Sequence, residues 1–98
     1  MAVRNISKFT TYRFKFKGIK KNVEVAVNWT VILFSLKPMF SQLLKIDFSS
    51  KNLKYQFQNK DMNLHQTVID NMKNIMESED YKKLEYSNEI LEINVECA

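Results

Sequence analysis

Two oppositely charged segments with the same alternating pattern constrain this chain more than any other feature. Thr10 to Lys17 sets Tyr12, Phe14 and Phe16 against Arg13, Lys15 and Lys17, and near the other end Leu91, Ile93 and Val95 alternate with Glu92, Asn94 and Glu96. A period of two puts the apolar side chains on one face of a strand and the charged ones on the other. The surroundings are polarised in the same sense: residues 1–21 carry seven basic side chains and no acid, whereas residues 77–98 carry seven acids against two lysines. The first and last strands are therefore expected to be neighbours. Their apolar faces would share one core, and Arg13, Lys15 and Lys17 would face Glu92 and Glu96 on the outside. Exposed cross-strand pairs of this kind select register more than they add stability.

The remaining elements follow from local pattern. Gly18 lies in the stretch that should turn the chain, and a second strand follows in which Val23, Val25, Val27, Trp29, Val31 and Leu33 alternate with more polar residues. Extended as far as Leu36 it would measure roughly 46 Å, too long for a small domain, so a bulge or bend is expected near Asn28. Pro38 fits the first turn of a short helix over residues 38–45, with Met39, Phe40, Leu43 and Leu44 on one face. Ile46 and Phe48, a turn at Ser49 to Asn52, and then Leu53, Tyr55 and Phe57 read as a hairpin. Asp61 is the expected N-cap of a long helix starting near Met62, whose apolar stripe runs Leu64, Val68, Met72, Ile75 and Met76. Ser78 to Tyr86 either prolongs that helix or forms a second one with Tyr81 and Leu84 inward, and Ser87 and Asn88 end it.

The expected fold is thus α+β: a four- or five-stranded, mainly antiparallel sheet, packed on one face by the long C-terminal-half helix, with a short helix near residues 38–45. The element order is strand, strand, short helix, strand, strand, helix, strand, and residues 1–98 read as a single domain. Its core is expected to gather Trp29, Leu33, Ile46, Phe48, Tyr55, Phe57, Val68, Met72 and Ile75. A hydrophobic content of 45% with 27% charged residues is globular composition, and the single glycine and single proline argue against long linkers. One cysteine, Cys97, cannot form an internal disulfide, and the longest uncharged apolar stretch, Val25 to Leu36, is too short to span a bilayer. The expectation is a cytoplasmic protein with no membrane association. The N-terminal cations recur every second residue, as in a strand, and not at the helical spacing of a transit peptide.

Catalytic chemistry finds little to work with. His65 is the only histidine, and Asp61 four residues earlier could orient it, but an N-cap followed by a surface histidine gives the same pair. A thiolate at Cys97 would be poorly held, and one His with one Cys cannot make a zinc site of N and S ligands. The acidic residues from Glu77 to Glu96 lack the order and the glycine of a calcium loop. No catalytic, cofactor-binding or metal-binding residue is assigned, and the chain reads as non-enzymatic.

Two binding readings remain. Val31 to Phe34 is apolar at every position and leads into an apolar short helix, more than one covered sheet face requires. Ile32, Phe34, Met39, Phe40 and Leu43 are the expected protein interface, with a second copy or with a different protein, unless the short helix folds back and closes an ordinary core. The alternative partner is nucleic acid. Lys17, Lys20 and Lys21 would contact phosphates in a chain of net charge +4, but the aromatics of Tyr12 to Phe16 could stack bases only if their face were exposed. The abundance of Lys, Asn, Ile and Met points to an AT-rich coding sequence of the kind found in phage and mobile elements. The favoured reading is a small protein-binding module, in that setting a factor that inhibits or adapts a larger complex.

Overall fold

The computed structural model describes residues 9–84 and 89–97. The first strand, β1 (Phe9–Phe16), turns at residues 17–21 into β2 (Asn22–Asn28), and the two pair antiparallel, with Tyr12 opposite Val25 and Phe14 opposite Val23. Gly18 makes the turn at φ 84°, a conformation that strains any residue with a Cβ. β2 ends at Asn28, and the chain bends there as expected, by a turn and not by a bulge. The Asn28 Oδ1 accepts from both the backbone N–H and the hydroxyl of Thr30, at 2.9 and 2.7 Å, and this Asx turn ends the ladder.

The apolar run beyond it is not a strand of the sheet. Its backbone bonds instead to residues 64–68: Leu33 N–H donates to Gln66 O, Phe34 N–H to Leu64 O, and Val68 N–H to Val31 O, at 3.1, 2.9 and 2.8 Å. Leu33–Leu36 then forms one 3₁₀ turn that buries Leu33 and Leu36. It runs directly into α1 (Lys37–Leu44), with Pro38 in the first turn as expected. Phe40 and Leu44 are the buried residues of α1.

The expected hairpin over residues 46–58 keeps only its second arm. Lys45 takes a left-handed conformation, φ 58°, at the end of α1, and residues 46–48 follow as a loop. Phe48 N–H donates to the Ser41 hydroxyl at 3.2 Å, and the Phe48 ring stacks on Phe16 at 5.9 Å. The alternation of Ile46 and Phe48 thus marks a loop that plants one aromatic in the core. The expected partner strand is taken, because β3 (Leu53–Phe57) has β4 (Lys60–Asp61) on one side and β5 (Leu91–Cys97) on the other. Gln58 and Asn59, both at positive φ, make the two-residue turn between β3 and β4. The element order is close to expectation, but the third and fourth strands are each one segment later than anticipated.

The long helix is also corrected. Asp61 belongs to β4, and residues 62–67 are the segment that bonds to residues 31–34. The helix begins only at α2 (Val68–Ile75), capped by Thr67, whose hydroxyl accepts from Asp70 N–H at 3.2 Å. Two extended residues, Met76 and Glu77, separate it from α3 (Ser78–Lys83), so the second of the two C-terminal alternatives holds. The expected break at Ser87 and Asn88 lies outside the described residues.

The strand order is β2-β1-β5-β3-β4. β5 lies between β1 and β3, parallel to the first and antiparallel to the second, so the sheet is mixed, and the expected adjacency of first and last strands holds. A large part of the cover on its inner face comes from α1, where Phe40 meets Phe14 at 4.8 Å and Phe16 at 5.1 Å, with Val68 and Met72 of α2 in the same core. Leu33, Phe48, Tyr55, Phe57, Val68 and Met72 are buried as expected, while Trp29, Ile46 and Ile75 are half-buried at its margin. No helix among the described residues is long and apolar enough to cross a membrane.

Candidate functional site

The outer face of the sheet is electrostatically closed on itself. Arg13 lies opposite Glu24 of β2 and Glu92 of β5 in the strand registers, and bonds to both, at 2.9 and 3.1 Å. The hydrogen bond to Glu24, then that to Glu92, raises the Arg13 pKa still further above its ordinary value. Lys15 reaches Glu92 at 3.8 Å, Lys17 reaches Glu96 at 3.9 Å, and Lys54 reaches Asp61 at 3.7 Å. The cation row expected to face the carboxylate row does so. These charges largely cancel locally and leave this face little net field for a charged partner.

The nucleic-acid residues are placed less favourably than the sequence allows. Lys17, Lys20 and Lys21 are exposed around the β1–β2 turn. Tyr12, Phe14 and Phe16, however, are all buried in the core, so the aromatic run offers no face on which bases could stack.

The five expected interface residues do not form one surface. Phe40 is fully buried and belongs to the core, a correction to its interface role, and Met39 is half-buried. Ile32, Phe34 and Leu43 are 47, 55 and 53% exposed. At about 100° of helix rotation per residue, Met39 and Leu43 lie on one flank of α1 and Pro38, Ser41 and Gln42 on the other, with Phe40 and Leu44 turned to the core. The second flank borders an open groove of about 660 Å³, lined among others by Phe34, Lys37, Pro38, Gln42 and Asp47. Of the five, only Phe34 reaches it. Phe34 is itself braced, with the His65 ring stacked on it at 6.3 Å and the Lys37 ammonium 6.0 Å from its centroid.

Two residues that position this site were not singled out by their sequence pattern. Asn71 of α2 is buried and uses three of its four hydrogen-bonding valences: Nδ2 donates to the carbonyls of Asn63 and Thr67, at 2.9 and 3.0 Å, and Oδ1 accepts from Asn63 N–H at 2.6 Å. It clamps the segment on which residues 31–34 lie. Asp47 accepts from Ser49 N–H at 2.9 Å, and the Ser49 hydroxyl and N–H hold its carboxyl below its usual pKa. An Asp followed two residues on by Ser is the usual cue for such a turn.

The catalytic candidates are dispersed. Asp61 pairs with Lys54 and accepts from Gln56, while His65, in the loop before α2, stacks on Phe34, so the expected one-turn helical relation between the two does not exist. Cys97 is a free, half-buried thiol on β5. Among the described residues no group of His, Cys, Asp or Glu could hold a metal ion.

No protein-family profile and no curated protein matches the sequence. Solved structures do match, over nearly the whole chain. A chain from a structure of molecular mimicry of SUMO that promotes DNA repair aligns with a TM-score of 0.62 at 12% identity, over 93% of this chain and 94% of that one. The UBL domain of Plasmodium falciparum Dsk2 aligns with a TM-score of 0.58 at 12% identity, over 93% of this chain and all of that one. The N-terminal ubiquitin-like domain of the 4931431F19Rik protein aligns with a TM-score of 0.56 at 12% identity, over 96% and 79%. At such identity the likeness is one of fold, and the β2-β1-β5-β3-β4 sheet with its helix across the inner face is a mixed α+β ubiquitin-like fold.

Proposed function

We propose that this chain is a non-catalytic protein-binding module, a single domain over residues 1–98. The observation that carries the reading is the exposure of Ile32, Phe34 and Leu43, large apolar side chains on two sides of α1, in a fold whose main polar face is already neutralised by its own ion pairs. A soluble domain leaves such groups in water at a cost in solubility, and exposed side chains of this size fit surfaces that a partner covers. The ubiquitin-like neighbours support the reading, since a domain of this fold presents surfaces and needs no catalytic group. The Lys- and Asn-rich composition extends the proposal to a cytoplasmic factor of phage or mobile-element origin that inhibits or adapts a larger complex.

The test is affinity capture from cells of the source, repeated after nuclease treatment, with Phe34→Asp and Leu43→Asp as variants. A protein captured by the wild type with or without nuclease, and lost by at least one folded variant, is the expected result. Capture abolished by nuclease, together with salt-sensitive oligonucleotide binding lost in a Lys20→Glu, Lys21→Glu variant, would replace this reading with nucleic-acid binding. Sedimentation over a concentration series separates a homodimer from capture of a different protein.

A further inference from the structure

The groove beside α1 has a definite chemical character. Phe34 and Pro38 give it apolar contact surface, and its volume of about 660 Å³ falls within the range of sites that hold a side chain or small ligand. Its lining holds one cation, Lys37, and one carboxylate, Asp47. Asp47 is engaged by its own loop through Ser49, while Lys37 has no carboxylate partner among the described residues. The Lys37 ammonium lies over the Phe34 ring, within the range at which a cation and an aromatic face attract. The outer sheet face pairs its cations with carboxylates, whereas this groove sets the Lys37 ammonium next to exposed aromatic surface.

We propose that the groove receives an acidic, apolar peptide segment of a protein partner, with an aliphatic or aromatic side chain against Phe34 and Pro38 and a neighbouring Asp or Glu against Lys37. The proposal rests on the protein-binding reading above and adds the site and the chemistry of the ligand. A second copy of the chain is a poorer occupant. The acids of β5 are held in the sheet by Arg13, Lys15 and Lys17, and those of α3 sit beside Lys82 and Lys83, with Asp80 already 3.8 Å from Lys83. No residue of β2 lines the groove, so docking here uses side chains and not the free edge of the sheet.

A selection of short random peptides displayed against the folded protein tests this, followed by nuclear magnetic resonance titration of a synthetic winner. The expected winners pair an apolar side chain with Asp or Glu and shift amides of residues 34–42 and 47–49. Phe34→Ala and Lys37→Glu, both at solvent-accessible positions, should each weaken binding by at least about tenfold, and Lys37→Glu should gain affinity for the same peptide with its acids changed to lysine. Winners that are basic, that map to another face, or that bind both variants as well as wild type would overturn the groove assignment, as would a selection with no winners. If a captured protein partner still binds both variants, the module reading stands and the groove assignment alone falls; if neither partner nor peptide binds, both fall.

Discussion

Replacing Asn71 by alanine should loosen the domain at the point where its candidate site is attached. The side chain is only 2% exposed and makes three hydrogen bonds within 3.0 Å, all to backbone groups of the 63–67 segment. A net of about 0.5–1.5 kcal/mol per bond gives roughly 1.5–4.5 kcal/mol for the set. The upper part of that range requires the stranded backbone groups to stay dry. Asn63 is exposed and can recover water for its N–H, so the expected loss is about 2–3 kcal/mol. Against a total stability of about 5–15 kcal/mol that is a large fraction, and it corresponds to a fall in Tm on the order of 10–20 °C.

The same clamp carries the groove, because Leu33 and Phe34 donate to Gln66 and Leu64 on the clamped segment. Urea denaturation should therefore show the stability loss, and amide exchange should show faster opening at Leu33 and Phe34 than in β1 or β5, whose ladders do not involve Asn71. Asn71→Asp should cost more than alanine, since it removes both donated bonds and buries a charge. A loss below about 0.5 kcal/mol, or protection lost equally in β1 and at Leu33, would refute the argument that this amide ties the loop to α2.

Three further outcomes are expected. Tyr55 is buried and its hydroxyl has no hydrogen-bond partner among the described residues, so Tyr55→Phe should be neutral or stabilising by up to about 1 kcal/mol; a loss of that size would mean that a water in the adjoining hollow of about 20 Å³ holds it. Trp29 is half-buried and donates to Thr10 Oγ1 at 2.6 Å, so Trp29→Ala should cost about 2–3 kcal/mol, below the ~3–5 of a fully buried aromatic, and a wild-type denaturation midpoint would remove Trp29 from the core margin. Asp47 has a folded pKa lowered by Ser49, so its contribution is complete above the ordinary value of 3.8 and is lost as pH falls through the lower folded value; the stability difference between wild type and Asp47→Ala should vanish in that acid window, and a difference that persists there would show that it does not come from the ionised carboxylate.

What the sequence disclosed tracks how local the determining interaction is. The charged alternation of β1 and β5 was legible because each strand keeps a period of two on its own, and opposite charge at a common spacing is enough to name the partner. The direction of that pairing was not legible, since Arg13 opposite Glu92 reads the same in a parallel or an antiparallel ladder. Pro38 and Gly18 announced α1 and the first turn through their own backbone restrictions. Two of the failures were cases where a segment's backbone bonds to something distant in sequence. Val31 to Phe34 looks like strand, yet its partners are residues 64–68; residues 62–67 look like the first turn of a helix, yet their carbonyls and N–H groups are taken by that run and by Asn71. The two mistakes are one interaction seen from its two ends.

That interaction also explains why the site itself was only partly visible. Apolar excess correctly drew attention to residues 32–43, but excess has no direction, and α1 sends its apolar residues to three places: Phe40 and Leu44 into the core, Met39 and Leu43 to one flank, Pro38 to the groove. Phe34 joins Pro38 only because the 3₁₀ turn at Leu33–Leu36 carries it there while its backbone is held by Leu64. The cations followed the same logic in reverse. The N-terminal run was the conspicuous basic feature, and the fold gives Arg13, Lys15 and Lys17 carboxylate partners; Lys37, in a stretch with no marked charge pattern, is left beside an exposed ring without one among the described residues. A charged surface in a small domain is best judged by what remains after its own strands have paired, and Lys37 on α1 belongs to that remainder.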